Sequence, residues 1–236
     1  MTEKEQFCKI LQEGKHMVFF GGAGVSTECG IPDFRGTDGL YRQQYAYPPE
    51  VMLSHSFYES HPEEFFRFYR NKMLYLDARP GVTHKSVAEL EKRGKMQAVV
   101  TQNIDGLHQL AGSVNVLELH GSVHRNYCTR CGRCFPAEFV RMSEGIPLCT
   151  ECGGVVKPDV VLYEEGLDSR TLDRAVRAIR TADVLIVAGT SLSVYPAASL
   201  TGYFSGRYLV VLNKTPTSLD RQADLVLSMP MAEVWA

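Results

Sequence analysis

Residues 18–36 read "VFFGGAGVSTECGIPDFRG". An apolar run enters a glycine-rich turn and a short helical start follows, which is the order found at the end of the first strand of a nucleotide-binding α/β sheet. Gly22 and Gly24, with Ala23 between them, let the backbone approach a diphosphate, and the N–H groups that follow can point at it. A hydride-transfer fingerprint is incomplete here. The third glycine position of G-x-G-x-x-G is Thr27, and no acidic residue closes a second strand about twenty positions on. Asp33, Phe34 and Arg35 then set an anion, an aromatic face and a cation beside the turn, which suits a loop closing over a nucleotide.

Working outward, short apolar runs with the look of buried parallel strands occur at 17–20, 98–101, 116–119, 160–162, 184–189, 208–213 and 224–228. Helical stretches at 2–13, 62–77, 84–93, 169–181 and 196–204 separate many of them. The alternation predicts an α/β fold with a doubly wound parallel sheet, Rossmann-like in class. Residues 36–83, rich in Tyr, Pro and His, and residues 122–156, which hold the paired cysteines, break the rhythm. Both are expected to leave the sheet and build a small lobe. The division is then 1–35, 84–121 and 157–236 for the sheet domain, 36–83 for a helical insertion and 122–156 for a cysteine module.

Polar residues collect where the predicted strands end. Gln102, Asn103, Ile104 and Asp105 follow one strand, and Asn103 or Asp105 could simply cap the next helix. Three polar side chains exceed what a cap needs. His120 ends another strand before a glycine, a fair position for a general base. Gly189, Thr190 and Ser191 make a third turn, and Asn213 with Lys214 a fourth.

The segment 128–152 contains C-x2-C-x17-C-x2-C. That spacing lies in the zinc range and gives a closed four-thiolate site, with Cys128, Cys131, Cys149 and Cys152 as ligands and Cys134 as a spare thiol. A redox pair is the rival reading, and two pairs at ribbon spacing favour metal. The odd total of seven cysteines argues against a disulfide framework and for the cytoplasm. A net charge of −2 and a pI near 6.4 give no electrostatic case for nucleic acid or an anionic membrane as partner. No apolar run has the length of a membrane span, and residues 1–14 read as a charged amphipathic helix rather than a signal peptide.

Taken in order, "GAGVS", "GIPDFR", "TQNID", "LHG", the two Cys-x-x-Cys pairs, "GTSL" and "LN" resemble the sirtuin family of NAD-dependent protein deacylases, over nearly the whole chain. The resemblance implies NAD, consumed as co-substrate, meeting an acetyl-lysine protein or peptide in a cleft between a Rossmann-like domain and a small lobe braced by one structural zinc. It implies a cofactor loop of Gly22, Ala23, Gly24, Thr27, Asp33, Phe34 and Arg35, and a nicotinamide-ribose pocket of Gln102, Asn103, Ile104 and Asp105. Gly189, Thr190, Ser191, Asn213 and Lys214 would take the phosphates and adenosine ribose, with Met231 at the adenine end. Asn103 and His120 would be catalytic, His120 taking a proton from a ribose hydroxyl. Val160, Val161, Leu162 and Tyr163 would line the substrate. A monomer is expected, with no direct nucleic-acid or membrane partner. ADP-ribosyl transfer and a non-enzymatic docking ribbon are the alternative readings.

Two departures bear on specificity. Where most sirtuins have Phe-Gly-Glu this chain reads Tyr163-Glu164-Glu165. Relatives that remove acidic acyl groups pair a Tyr with an Arg three residues later, and Tyr69 with Lys72 is half of that pattern. An acetyl or other short apolar acyl group is the expected substrate.

Overall fold

The residues MVFFG form β1 (Met17–Gly21), and every one of them is buried. A strand with no exposed face needs a neighbour on each edge and a layer packed on each side. Both are present in the computed structural model, which describes residues 1–34, 39 and 47–235. β1 pairs in parallel with β2 (Met96–Thr101) on one edge and with β7 (Val184–Ala188) on the other. With β3 (Val116–Glu118), β8 (Tyr208–Leu212) and β9 (Leu225–Leu227) the sheet runs β3-β2-β1-β7-β8-β9, all pairs parallel. The strand order reverses between β1 and β7, and ligands of open α/β sheets bind beyond the strand ends at that point.

Side-chain alternation along β1 supplies both faces. Met17 and Phe19 join Phe7 and Ile10 of α1 (Glu3–Glu13), Val87 of α5 (Val82–Lys92) and Val234 of α9 (Met231–Trp235). Val18 and Phe20 join Ala175 and Ile179 of α8 (Ser169–Thr181) and the 3-10 turn Ala197–Tyr203. α1 starts at a capping box in which Thr2 Oγ1 accepts from Glu5 N and the Glu5 carboxylate accepts from Thr2 N. No helix among the described residues is long and apolar enough to cross a membrane.

A second, antiparallel sheet, ordered β5-β4-β6, is built from β4 (Gly121–Cys128), β5 (Cys134–Phe135) and β6 (Val156–Val160). The helices α2 (Pro49–Met52), α3 (His55–Ser60), α4 (Pro62–Lys72) and α7 (Ala137–Met142) pack on it. Phe57, Phe65, Phe66 and Tyr69 share one core with Val123, Phe135, Val140 and Val156, so the described parts of the two sequence excursions bury apolar residues in each other.

The run at 160–162, expected as a strand of the parallel sheet, is not one. The strand there is β6, antiparallel to β4, with Val156, Pro158 and Val160 buried and Lys157 and Asp159 half-exposed. That period-two pattern belongs to a sheet with one open face, and the apolar VVL starts only where the strand ends. The helix expected over 62–77 stops at Lys72, and the one expected over 196–204 is the 3-10 turn.

His84 of α5 and His108 of α6 (Leu107–Leu110) are buried with ring centroids 4.7 Å apart. Burial, with the adjacent His84, pushes the His108 imidazole down to about 3 from an ordinary 6.5. The folded protein thus holds it neutral where the unfolded chain takes up a proton. Its stabilising effect is complete above the unfolded value and is lost as pH falls through the window below it, by about 2 kcal/mol near pH 5. Urea midpoints should therefore drop between neutral pH and pH 5, and the drop should be shallower in His108→Leu. An equal drop in both proteins would refute the assignment to His108.

Candidate active site

The glycine turn after β1 meets the turn after β7 backbone to backbone. Gly24 N donates to Gly189 O at 2.8 Å. A β-carbon on Gly24 would stand 2.8 Å from Gly189 Cα, and one on Gly22 would stand 2.7 Å from Thr190 Cβ. The glycines are therefore demanded by contact between two strand-end turns as well as by close approach to a ligand. Thr27, where a fingerprint would have its third glycine, closes the turn through Oγ1, which donates to Gly24 O at 3.0 Å.

Behind this turn lies a polar chain. Asn103 Nδ2 donates to Ser26 Oγ at 3.1 Å, and Ser26 Oγ donates to Asp105 Oδ2 at 2.6 Å. Asp105 Oδ1 accepts from Leu107 N at 2.9 Å, so the carboxylate starts α6 and holds the site serine at once. Gln102 Nε2 donates to Thr190 Oγ1 at 3.0 Å, tying the β2 turn to the β7 turn. The Asp105 carbonyl accepts from His124 Nε2 at 2.9 Å, which fixes this loop against β4. Ser26 is the residue that sequence reasoning missed. Its signal was a hydroxyl at the end of the glycine turn, and its partners come from 77 and 79 residues away.

His120 sits between β3 and β4. Its Nδ1 lies 2.9 Å from the Gln102 carbonyl, which can only accept, so Nδ1 carries the proton and Nε2 the lone pair. Among the described residues Nε2 has no hydrogen-bond partner. Burial lowers the imidazole below its usual range, partly countered by the Gln102 bond, so the ring is neutral at neutral pH. Gly121, with φ 76°, turns the chain directly after it; a β-carbon there would stand 1.9 Å from Asp159 O. No other residue fits this turn.

One cavity of about 900 Å³ receives all of these loops. It is lined by Gly22, Ala23, Gly24, Thr27, Asp33 and Phe34 on the first turn, by Gln102, Asn103, Ile104, Asp105 and His120, and by Gly189, Thr190, Ser191, Asn213, Lys214 and Met231. Val160, Val161, Leu162 and Tyr163 line it as well. Arg35 lies outside the described residues. Lys72, Met73 and Tyr75 also reach the cavity, but Tyr69 is fully buried in the small core, its ring stacked on Phe65 at 5.8 Å. The Tyr69/Lys72 half-pattern therefore does not present both residues to one pocket.

The sulfurs of Cys128, Cys131, Cys149 and Cys152 lie within 4.8 Å of one another, with Cys128–Cys152 at 3.4 Å and Cys131–Cys149 at 3.7 Å. Zn–S bonds of about 2.3 Å imply tetrahedral edges of about 3.8 Å, so the four thiols fit zinc. Two matching turns hold them: Gly132 N donates to Cys128 O and Gly153 N to Cys149 O, both at 2.9 Å, and both glycines have positive φ. Cys134 is exposed on β5, outside the cluster. None of the four ligands lines the cavity.

Fold and site together define a nucleotide-binding enzyme of the Rossmann-like class with a cysteine-braced second lobe. The Sir2 family model matches residues 22–196, and the chain belongs to that family. It is 59% identical over 229 residues to an NAD-dependent protein deacetylase of Clostridium acetobutylicum, covering 96% of this chain and 94% of that one. A protein of the same description from Cutibacterium acnes is 55% identical over 225 residues, with 94% and 92% covered. Among solved structures, a Sir2 with deacetylated p53 peptide and 3'-O-acetyl-ADP-ribose matches with TM-score 0.90 at 38% identity, covering 99% of this chain and 96% of that one. A Sir2 with p53 peptide and NAD+ matches with TM-score 0.86 at 40% identity, with 100% and 96% covered.

Proposed function

We propose that this chain is an NAD-dependent protein-lysine deacetylase, consuming NAD and giving nicotinamide, O-acetyl-ADP-ribose and deacetylated lysine. The observation that carries the reading is His120: a neutral imidazole, its tautomer set by Gln102, on one cavity with the glycine turn, Asn103 and Asp105. NAD, when bound, supplies a ribose carbon that becomes electrophilic as the bond to nicotinamide weakens.

The chain's own residues position and deprotonate. Gly22, Ala23, Gly24 and Thr27, with Thr190 and Ser191, would receive the phosphates at the switch point. Asn213, Lys214 and Met231 take the adenosine end. Asp105 and the Ile104 backbone orient the carboxamide, and Asn103, held by Ser26, faces the ribose. Asp33 and Phe34 close the loop, Phe34 keeping water from the reacting face. His120 Nε2 accepts a proton from a ribose hydroxyl, which a neutral imidazole can do at neutral pH. Val160, Val161, Leu162 and Tyr163 receive the acyl-lysine segment by adding it as a strand.

In this reading the two excursions, 36–83 and 122–156, form a small lobe that β6 extends to Val160, closing on a nucleotide domain of 1–35, 84–121 and the chain after β6. Cys128, Cys131, Cys149 and Cys152 hold one zinc there as a brace. The cytoplasm, which keeps such thiols reduced, and a monomeric state complete the reading, with neither nucleic acid nor membrane as partner.

Nicotinamide release measured with and without an acetyl-lysine peptide tests it. Release that depends on the peptide is the expected result. Peptide-independent transfer of label to protein would mean ADP-ribosylation instead.

Asp105→Asn separates capping from chemistry. The variant keeps an oxygen for Leu107 N but puts an amide where Ser26 donates, and Ser26 already accepts from Asn103. Stability should fall by only about 1 kcal/mol. Turnover should fall about tenfold or more, together with nicotinamide inhibition. A lowered melting temperature with wild-type kinetics would show that Asp105 is a cap alone.

A further inference from the structure

The segment from Val160 to Glu165 leaves β6 on the way to α8 and lines the cavity throughout. It is stitched to the start of α3 by backbone bonds: Tyr163 N donates to Leu53 O and His55 N to Tyr163 O, both at 3.0 Å. Glu165 adds an inner clamp, its carboxylate accepting from Leu162 N at 2.9 Å and from Lys157 Nζ at 3.2 Å, with His55 Nδ1 at 2.9 Å.

Glu164 occupies the turn with φ 77°, a left-handed conformation that side chains with a β-carbon rarely adopt. Most sirtuins have glycine here, as noted above. Glycine would take this φ freely but carries no carboxylate. The glutamate uses its own: Oε2 accepts from Ser56 N at 2.9 Å and Oε1 from Ser56 Oγ at 3.0 Å, joining positions 108 residues apart. These bonds are exposed and add little to global stability, while the backbone conformation costs some of it. The balance for folding is close to even. What the exchange changes is where the segment sits and how far it can move.

We propose that Glu164 is a positioning residue for the acyl-peptide, fixing the substrate-lining segment Val160–Tyr163 against the small lobe before the peptide arrives. This rests on the reading of that segment under Proposed function. A strained residue held by its surroundings beside a binding edge is a form of preorganisation, and preorganisation appears as affinity.

The experiment is steady-state kinetics with NAD and one acetyl-lysine peptide on wild type, Glu164→Gly, Glu164→Gln and Ser56→Ala. Glu164→Gly should raise the peptide KM about three- to tenfold, with kcat and the NAD KM within about twofold of wild type. Its melting temperature should be equal or higher, because glycine relieves the turn. Glu164→Gln, which keeps one acceptor oxygen, should recover part of the loss, and Ser56→Ala should reproduce part of it. In the ligand-free protein, the Tyr163 and Ser56 amides of Glu164→Gly should exchange hydrogen faster. A glycine variant with wild-type peptide KM, or with both KM values raised in step, overturns the proposal, as does unchanged exchange. Wild type alone reports on the activity. Nicotinamide release without peptide dependence there would overturn the deacetylase reading itself, and the positioning role with it.

Discussion

Replacing His120 by alanine should reduce deacetylation by about 10²- to 10⁴-fold, the range a positioned general base contributes, while NAD binding stays near wild type. Among the described residues the imidazole makes one hydrogen bond, from Nδ1 to the Gln102 carbonyl, and that carbonyl can turn to water once the ring is gone. The turn itself depends on Gly121 rather than on the imidazole, so the loop should hold. Because departure of nicotinamide precedes the proton transfer assigned to His120, nicotinamide exchange should survive in part. The pH profile supplies a second check. Burial lowers the imidazole, and it acts in its neutral form. Wild-type activity should therefore persist as pH falls past the ordinary imidazole range and decline only below the lowered value. Wild-type deacetylation by His120→Ala would move the base to another residue. A profile that declines at an ordinary or raised imidazole value would show that burial does not govern the site.

Much of this architecture is legible locally, because a buried parallel strand must be apolar throughout. MVFF, AVVT, VLIVAG and YLVVLN mark β1, β2, β7 and β8 within a residue or two. The glycine turn, the paired cysteines and the strand-end His120 are legible for the same reason: each is a short-range constraint on backbone or metal geometry. β6 is hard to place from sequence because VVL is apolar and short, and only the half-exposed Lys157 and Asp159 reveal a one-sided sheet. Ser26 escaped because its role exists only through Asn103 and Asp105, brought to it by the pairing of β1 with β2. On sequence alone Glu164 is legible only as a departure from the Phe-Gly-Glu pattern of the resemblance. The structure resolves it with a carboxylate bond to Ser56 that no local pattern could announce.

Replacing Cys128 or Cys149 by serine should release the zinc and unfold the small lobe, abolishing activity although neither cysteine lines the cavity. Both thiols are buried, at 3% and 4% exposure, and both belong to the core that includes Val123, Phe135 and Val156. Zinc bound by four thiolates contributes about 10–16 kcal/mol of apparent binding energy in small folded units, and that energy is folding energy. A domain stable by about 5–15 kcal/mol overall cannot lose a large part of it and keep the lobe. The damage has a route to the chemistry. Cys128 pairs with Val156 at one end of the β4·β6 ladder and Gly121 pairs with Val160 at the other, next to His120. Val161 N then donates to the His120 carbonyl at 3.1 Å, so a loosened β6 loosens the wall facing the base. Metal analysis should find one zinc per chain in wild type and in Cys134→Ser, and far less in the two ligand variants. Hydrogen exchange should rise across β4, β5 and β6 while β1 and β7 stay protected, since the parallel sheet has its own two cores. A ligand variant that keeps its zinc and its activity, or a wild-type protein without zinc, would mean that the four thiols are not a metal brace.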